Sequence, residues 1–344
     1  YDIKRPPTGL TVLIADFERD PEARSVNYAH YIESGLLEVL DELEVEGVYV
    51  ERAYEVYTQK DARSRAAARK AAVVIYGRYD DARVEPRIEL VRAPQQYMPL
   101  LKQASVGLVD LDQWEVRVDR SLKEMNYIAA AAIGLAYYVD GQNDQALSFF
   151  DLALKSAPEE ALLTNKEVVY FYKGTTHFYL NQFPQALAAL QEAVRLNPDL
   201  YAAHHNLAIA YSVNCDLTSA LRETDEALRL KPDSGDAYYF RGALLMLQSR
   251  WDEAATALLK AVELSPDNAA AHASLGQTYE RLGRADKAAS EYQKAMSLTG
   301  ETLKAKPDDP LSIVAHADTL WIQGKWEEAA AEYQQAIQQA ETLR

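Results

Sequence analysis

The residues best suited to chemistry are two groups of carboxylates in the first part of the chain. Asp16, Glu18 and Asp20 follow one short apolar run, and Asp80 and Asp81 follow another. If both runs are parallel strands, these side chains meet at one edge of a sheet, where oxygen ligands can hold an ion such as Mg²⁺. The simpler interpretation is a pair of solvated polar turns, and we predict no metal site here.

A second group that suggests metal binding is His204, His205 and Cys215. Imidazole and thiolate are zinc ligands, but His204 falls at a packing position of a helix and Cys215 in a turn, so no metal is predicted. The chain also lacks G-x-G-x-x-G, G-x-x-x-x-G-K-[ST], G-x-S-x-G and H-E-x-x-H, which mark phosphate cradles, nucleophiles and zinc proteases. The sequence therefore predicts no catalytic residue, no cofactor and no enzymatic activity.

The elements that would position the carboxylates form a small α/β domain over residues 1–120. Its third strand is wholly apolar and is expected to be central, whereas Pro86 in the fourth strand favours an edge position. Trp114, Val116 and Val118 alternate, which allows one added strand. Strands are predicted at 11–17, 48–51, 72–77 and 84–91, and helices at 31–43 and at 62–70 with Asp61 as N-cap.

This pattern resembles the amino-terminal domain of the periplasmic TolB proteins. The similar segments are IADF (14–17), GLLEVLDEL (35–43), VERA (50–53), AAVVIYGRYDD (71–81) and IELVRA (88–93). The resemblance implies an α/β fold in a bacterial, multi-domain protein, and it implies no particular reaction.

Charge and composition exclude several classes of protein. The net charge of −16 divides into −5 on residues 1–120 and −11 on the remainder, so a nucleic-acid partner is not expected. The single cysteine excludes an internal disulfide. No apolar run reaches the roughly 20 residues that span a bilayer. Because the chain starts at Tyr1 rather than Met, we expect that a leader, an anchor or a longer amino-terminal region precedes it.

The remainder of the chain, residues 121–344, repeats one pattern, most regularly at a spacing of 34 residues. Small residues mostly occupy places 8, 20 and 27 of each unit, bulky residues lie between them, and proline often occupies place 32. A period of this length predicts stacked helical hairpins. The units are 127–160, 167–200, 201–234, 235–268, 269–309 and 310–344.

The pattern resembles the tetratricopeptide repeat (TPR) family, which implies an all-α superhelix, an α-solenoid of helical hairpins, that binds proteins. Two departures from the period are informative. Six residues, 161–166, separate the first two units, and unit five contains seven residues more than the others. This second insertion either lengthens the second helix of the unit, with Gly300 as a break, or forms a loop.

In the TPR family, places 2, 5, 6, 9, 12 and 13 of each first helix face a concave groove, and here they are unusually apolar. In unit one they include Ile128, Leu135, Tyr138 and Val139. Either this surface binds a partner, with most binding energy on units two and four, or the amino-terminal domain or a second copy covers it. The predicted partner-binding residues are Phe171, Tyr172, Phe178, Tyr179, His205, Asn206, Tyr239, Phe240, Met246 and Trp321.

Three hypotheses about function follow. The leading one is a scaffold that binds a partner peptide or helix, aromatic-anchored or with basic flanks, in an acid-rimmed groove. The alternative is a ligand-sensing α/β domain whose response the repeats relay or localise. The third is self-assembly of the chain into a homo-oligomer through its repeats.

Overall fold

A computed structural model gives the structure of the protein, and the chain forms two compact units. The first contains the amino-terminal sheet and the helices up to residue 206, and the second contains the helices from residue 207 onward. The structure describes residues 10–15, 18–19, 28–42, 48–53, 59–68, 71–79, 84–90, 113–115, 122–157 and 166–342. Among these residues, no helix is both long and apolar enough to cross a membrane.

The first unit begins with a sheet whose strands lie in the order β3, β1, β4, β5, β6, while β2 pairs with the end of β4. Strand β1 runs parallel to both β3 and β4, and Val12 pairs with Val50 on one side and Val73 on the other. Strands β5 and β6 are antiparallel to their neighbours. The strands are β1 Leu10–Ala15, β2 Glu18–Arg19, β3 Val48–Ala53, β4 Val73–Tyr79, β5 Val84–Leu90 and β6 Gln113–Glu115.

Helices cover both faces of this sheet. Helix α1 (Tyr28–Glu42) connects β1 to β3, and helix α2 (Gln59–Ala68) connects β3 back to β4. Because parallel connections are right-handed and these two run in opposite directions across the sheet, the helices lie on opposite faces. Leu13 and Val74 pack with Ala62 of α2 in one buried cluster. The amino-terminal part is thus a small α/β layer structure.

Two expectations for this part were wrong. Strand β5 is not at the edge, because β6 pairs with it through Ile88 and Trp114. Strand β6 pairs only with residues 87–89 of β5. Pro86 lies just outside this pairing, so its missing N–H removes no hydrogen bond between β5 and β6. Asp61 is not an N-cap, because α2 begins two residues earlier, at Gln59.

The first repeat helix, α3 (Leu122–Val139), packs against the sheet domain. It contacts α1 and strands β1, β4 and β5, as well as its own hairpin partner α4 (Asn143–Ser156). The side chains expected on the concave face of this repeat are also buried, and they are Ile128, Leu135, Tyr138 and Val139. The predicted groove face of the first repeat is therefore not accessible.

The remaining helices form consecutive hairpins. In the first unit, α5 (Lys166–Tyr179) pairs with α6 (Phe183–Leu196). Helix α7 (Tyr201–Val213) begins in the first unit and ends in the second. The second unit continues with α8 Leu217–Leu230, α9 Gly235–Leu247, α10 Trp251–Leu264, α11 Ala269–Arg281, α12 Ala285–Ala305, α13 Pro310–Ile322 and α14 Trp326–Thr342.

Two backbone features recur in register with the sequence pattern. The turn between the two helices of each unit has a residue with positive φ at place 15, and three of these are not glycine. A glycine at place 8 lies against the side chain at place 24 of the second helix, as Gly174 does against Leu190. The positive-φ residues are Gly141, Asn181, Cys215, Ser249, Gly283 and Gly324.

The inserted residues of unit five lengthen its second helix. Helix α12 has 21 residues, whereas α10 has 14, a difference of seven. Gly300 lies within this helix and does not interrupt it. A Ser, Asn or Asp side chain caps the first helices of units four to six, because Ser234, Asn268 and Asp309 each accept a hydrogen bond from the backbone N–H three residues later.

Candidate functional site

The predicted groove positions differ in burial along the array and along each first helix. Side chains at places 5 and 6 are buried in units one to five, while those at places 12 and 13 are half-buried or exposed in units three to six. In α9, Phe240 at place 6 is 4% exposed, and Leu247 at place 13 is 67% exposed. Accessible or half-buried apolar residues at these later places are Tyr179, Val213, Met246, Leu247, Trp321 and Ile322.

In the first of the two compact units, the rings of α5 belong to an internal aromatic cluster. Tyr172 stands edge-on to Tyr138 of α3 at a centroid distance of 5.2 Å and to Phe171 at 5.0 Å. Phe178 packs edge-on against Phe183 of α6 at 5.3 Å. Such aromatic pairs stabilise a core beyond the area that they bury. The expectation that Phe171, Tyr172 and Phe178 are exposed is therefore wrong.

His205 and Asn206, from repeat unit three, are buried inside the first compact unit. The His205 ring stacks on Tyr201 at 5.9 Å. Asn206 donates from Nδ2 to the hydroxyl of Thr175 at 3.3 Å, and that hydroxyl donates in turn to the carbonyl of Phe171. The Asn206 contact joins α7 to α5, whereas the His205 contact lies within α7, and both residues have a structural role. Their exposure was wrongly expected, because each is at most 1% exposed.

In the second compact unit, Tyr239 and Phe240 of repeat unit four are also buried, at 3% and 4% exposure. Met246 is half-buried and packs against a core cluster that contains Leu245. Of the predicted residues in this unit, Trp321 is the most accessible, at 51% exposure. Partner binding at the ten predicted positions remains a prediction, and it now concerns chiefly the accessible ones.

A cleft of about 450 Å³ lies in the second compact unit, beside α11 of repeat unit five and α13 and the start of α14 of repeat unit six. It combines exposed aromatic surface with polar side chains at place 9 of two first helices, Gln277 and Asp318. Trp321 and Trp326 have ring centroids 6.4 Å apart and planes inclined by 45°. Its lining residues are Gln277, Asp318, Trp321, Ile322, Gly324, Trp326 and Tyr333.

A tyrosine at place 24 holds a carboxylate in each of the last two repeats. Tyr333 donates from its hydroxyl to Oδ1 of Asp318 at 2.6 Å, and Tyr292 donates to Oε2 of Glu280 at 3.0 Å. Burial and, next, the hydrogen bond to the carboxylate raise the pKa of each phenol above its ordinary value. Both tyrosines therefore remain protonated donors and orient the carboxylates on the first helices.

Sequence reasoning missed Trp326 and Asp318 as members of a site. Trp326 lies at place 17, the first residue of a second helix, which is not a groove position of the family pattern. One signal was present, since unit four also has a tryptophan at place 17, Trp251. There the guanidinium of Arg281 lies over the indole, 5.6 Å from its centroid.

No metal site forms from the histidines that the sequence brings close together. His204 donates from Nε2 to the carbonyl of Pro198 at 3.0 Å. Two repeats later, His272 makes the equivalent hydrogen bond to the carbonyl of Pro266. Within the described ranges, no three His, Cys, Asp or Glu side chains are placed to hold an ion. Asp16, Asp20, Asp80 and Asp81 lie outside the described residues.

Comparison with known families agrees with this geometry. Residues 174–212 and 244–283 match the model described as TPR repeat, and residues 269–302 match a second model described as tetratricopeptide repeat. The chain therefore contains tetratricopeptide repeats, and its repeat region is a helical solenoid. The comparison with curated protein sequences finds no match.

Several solved structures are similar over about half of the chain. A crystal structure of MamA is 23% identical over 52% of this chain and 95% of that one, with a TM-score of 0.47. MamA from Desulfovibrio magneticus RS-1 is 20% identical over 52% and 96%, also with a TM-score of 0.47. YrrB, described as a TPR protein with an unusual peptide-binding site, is 22% identical over 55% and 91%, with a TM-score of 0.38.

Proposed function

We propose that the protein is a non-enzymatic scaffold that binds a partner peptide or helix at the ends of the first helices of its repeats. The observation that supports this most directly is the exposure of large apolar side chains at places 12 and 13, above all Leu247 and Trp321. Isolated exposed apolar residues are ordinary, but a recurrence at two adjacent places of the repeat presents them as a row. A row of this kind suits an extended or helical segment with spaced apolar anchors.

The buried rings have a different part in this proposal. Phe171, Tyr172 and Tyr239 stabilise the repeats, so they hold the accessible row in place without contacting the partner. Truncating any of these rings to alanine should cost about 3–5 kcal/mol of folding free energy. Loss of binding after such a substitution would report unfolding and could not locate the site.

The sign of the charge supports a partner with basic residues. Residues 121–344 have a net charge of −11, which attracts a basic segment and repels nucleic acid. The α/β domain covers the face of α3, which leaves the later repeats for the partner. By its resemblance to the TolB amino-terminal domain, this part belongs in a bacterial, multi-domain context.

Selection of binding peptides tests the proposal directly. The full chain would be panned against a displayed random peptide library, and the enriched peptides would be measured by fluorescence polarisation. Leu247→Ala should weaken their binding by about 1 kcal/mol or more, which is roughly fivefold in Kd. Leu259→Ala is the matched control, because Leu259 is also exposed, at 47%, but lies on the second helix α10.

The two leucine variants separate the outcomes. Both should fold like the parent, since neither side chain is buried, and circular dichroism checks this. If no peptide is enriched, or if Leu259→Ala weakens binding as much as Leu247→Ala, the proposed surface is wrong. If light scattering shows concentration-dependent assembly that Leu247→Ala abolishes, the row binds a second copy of the chain instead.

A further inference from the structure

We propose that the cleft between Trp321 and Trp326 receives an arginine side chain of the bound peptide. This inference rests on the proposed function and specifies the chemistry of one of its anchors. In another cleft of the same compact unit, Arg222, Arg241 and Arg250 are already paired with Glu223, Asp225 and Glu253.

The aromatic half of the proposed site consists of two indoles with much of their surface in solvent. Trp321 is 51% exposed and Trp326 is 64% exposed, and both residues line the cleft. An indole face attracts a cation through its quadrupole, and tryptophan does so best among the aromatic residues. In the described part of the chain, no lysine or arginine lies over either ring.

The anionic half is Asp318, which lines the same cleft. Its Oδ1 accepts the Tyr333 hydroxyl at 2.6 Å, so the carboxylate is held in one orientation instead of turning freely. The surrounding repeat has the same sign of charge. Between Pro310 and Thr342 the acidic residues are Asp318, Glu327, Glu328, Glu332 and Glu341, against the single basic residue Lys325.

The protein itself contains the contact that we propose for the peptide. Trp251 begins α10 at the same repeat place at which Trp326 begins α14, and the Arg281 guanidinium lies 5.6 Å from its ring centroid. In that internal pair, the arginine belongs to α11, which is the first helix of the following repeat. An arginine from a partner would make the same kind of contact with Trp326.

Arginine fits this site better than lysine or an aliphatic anchor. Its planar guanidinium stacks on an indole face while its N–H groups point outward in the plane, where a fixed carboxylate can accept them. A lysine ammonium is a strongly hydrated point charge that loses more on leaving water. An aliphatic side chain would donate no hydrogen bond to the Asp318 carboxylate in the filled cleft.

The test uses the indole N–H signals of the ¹⁵N-labelled full chain, titrated with N-acetyl-arginine-N-methylamide. The chain has four tryptophans, so four signals are expected, and single Trp→Phe variants assign them. The Trp321 and Trp326 signals should shift saturably, while those of Trp114 and Trp251 stay in place. The matched probes are the citrulline analogue, which has nearly the same shape without the charge, and the lysine analogue.

We expect the citrulline probe to bind about tenfold more weakly than the arginine probe, and the lysine probe about threefold more weakly. Asp318→Asn keeps an acceptor for Tyr333 but removes the charge, so it should weaken arginine binding about tenfold without altering the remaining spectrum. Trp326→Phe should weaken it about threefold. Unchanged Trp321 and Trp326 signals, or equal shifts with arginine and citrulline, would overturn the inference.

These results also distinguish the inference from the proposed function. If peptides selected on the full chain depend on Leu247 but not on Trp326, the scaffold proposal stands and the arginine site is wrong. If blocked arginine binds at the indoles but no peptide is ever selected, the subsite exists and the scaffold proposal is wrong.

Discussion

Replacing Gly174 with alanine should destabilise the second repeat, whereas the same replacement at Gly300 should stabilise the fifth. Both glycines lie inside helices, α5 and α12, where alanine is intrinsically favoured over glycine by about 1 kcal/mol. They differ in their surroundings. Gly174 lies where α5 and α6 approach each other closely, and nothing lies within 4 Å of a Cβ added at Gly300.

The magnitude follows from the distances at Gly174. An added Cβ would lie 2.7 Å from Cγ of Leu190, 3.1 Å from its backbone nitrogen and 3.2 Å from the carbonyl oxygen of Ala186. Unstrained carbon contacts are about 3.5–4.0 Å, and overpacking a core costs about 1–3 kcal/mol. Because two of the three neighbours are backbone atoms of α6, the helix as a whole must move. After subtracting the gain in propensity of about 1 kcal/mol, we expect Gly174→Ala to lose up to about 2 kcal/mol.

Urea unfolding followed by circular dichroism gives the global stability of both variants. Since an array of repeats need not unfold in one step, hydrogen exchange of the α5 and α6 amides locates the effect of Gly174→Ala. Gly300→Ala should raise the stability by about 0.5–1 kcal/mol and slow exchange in α12. An equal gain in stability in both variants would refute the close approach of α5 and α6 as the reason for the glycine.

Two further predictions concern the second unit. Burial alone would raise the pKa of Glu291, but hydrogen bonds from Lys294 and His272 outweigh it and hold that pKa below 4.5. A depressed carboxyl pKa contributes stability that is present above its unfolded value and lost as pH falls through the folded one. Glu291→Gln should therefore cost about 1–2 kcal/mol at pH 7, and in urea titrations this difference should shrink as the pH falls below the ordinary pKa of a glutamate, about 4.3; a difference independent of pH would contradict it. Ser249→Gly should raise the melting temperature, because Ser249 is exposed with φ of 57° and its substitution relieves about 1 kcal/mol of strain; a lower melting temperature would contradict this.

The repeat register was readable from the sequence because each of its marks has a local physical cause. The glycine at place 8 is required by the contact between two helices of one hairpin, as between Gly174 and Leu190. The caps of the first helices use short polar side chains, as Ser234 does. The strand runs of the amino-terminal part were readable for a similar reason, since their residues are buried on both faces and are apolar throughout, as in Val73–Tyr76.

The exposure of the aromatic residues was not readable, because it depends on elements distant in sequence. Tyr138 and Tyr172 are bulky residues at groove places, and the sequence does not state that their rings pack against each other and under neighbouring helices. The same limitation hid the cleft. Asp318 and Trp326 belong to different helices of unit six, and no family pattern joins their places. Only the folded hairpin brings a carboxylate beside an indole.

The seven additional residues of α12 determine how far the last repeat is shifted along the axis of this helix and rotated about it. A helix advances about 100° per residue, so seven residues turn it through nearly two full revolutions, about 20° short. Unit six is thus displaced along the axis of α12 by about 10 Å but keeps almost the same rotation that an uninserted unit would have. An insertion of five residues would instead turn the last hairpin by about 140° and point Trp321 away from Gln277. The length of this insertion is one of the few that lengthen the array while leaving the face that we propose for binding in phase.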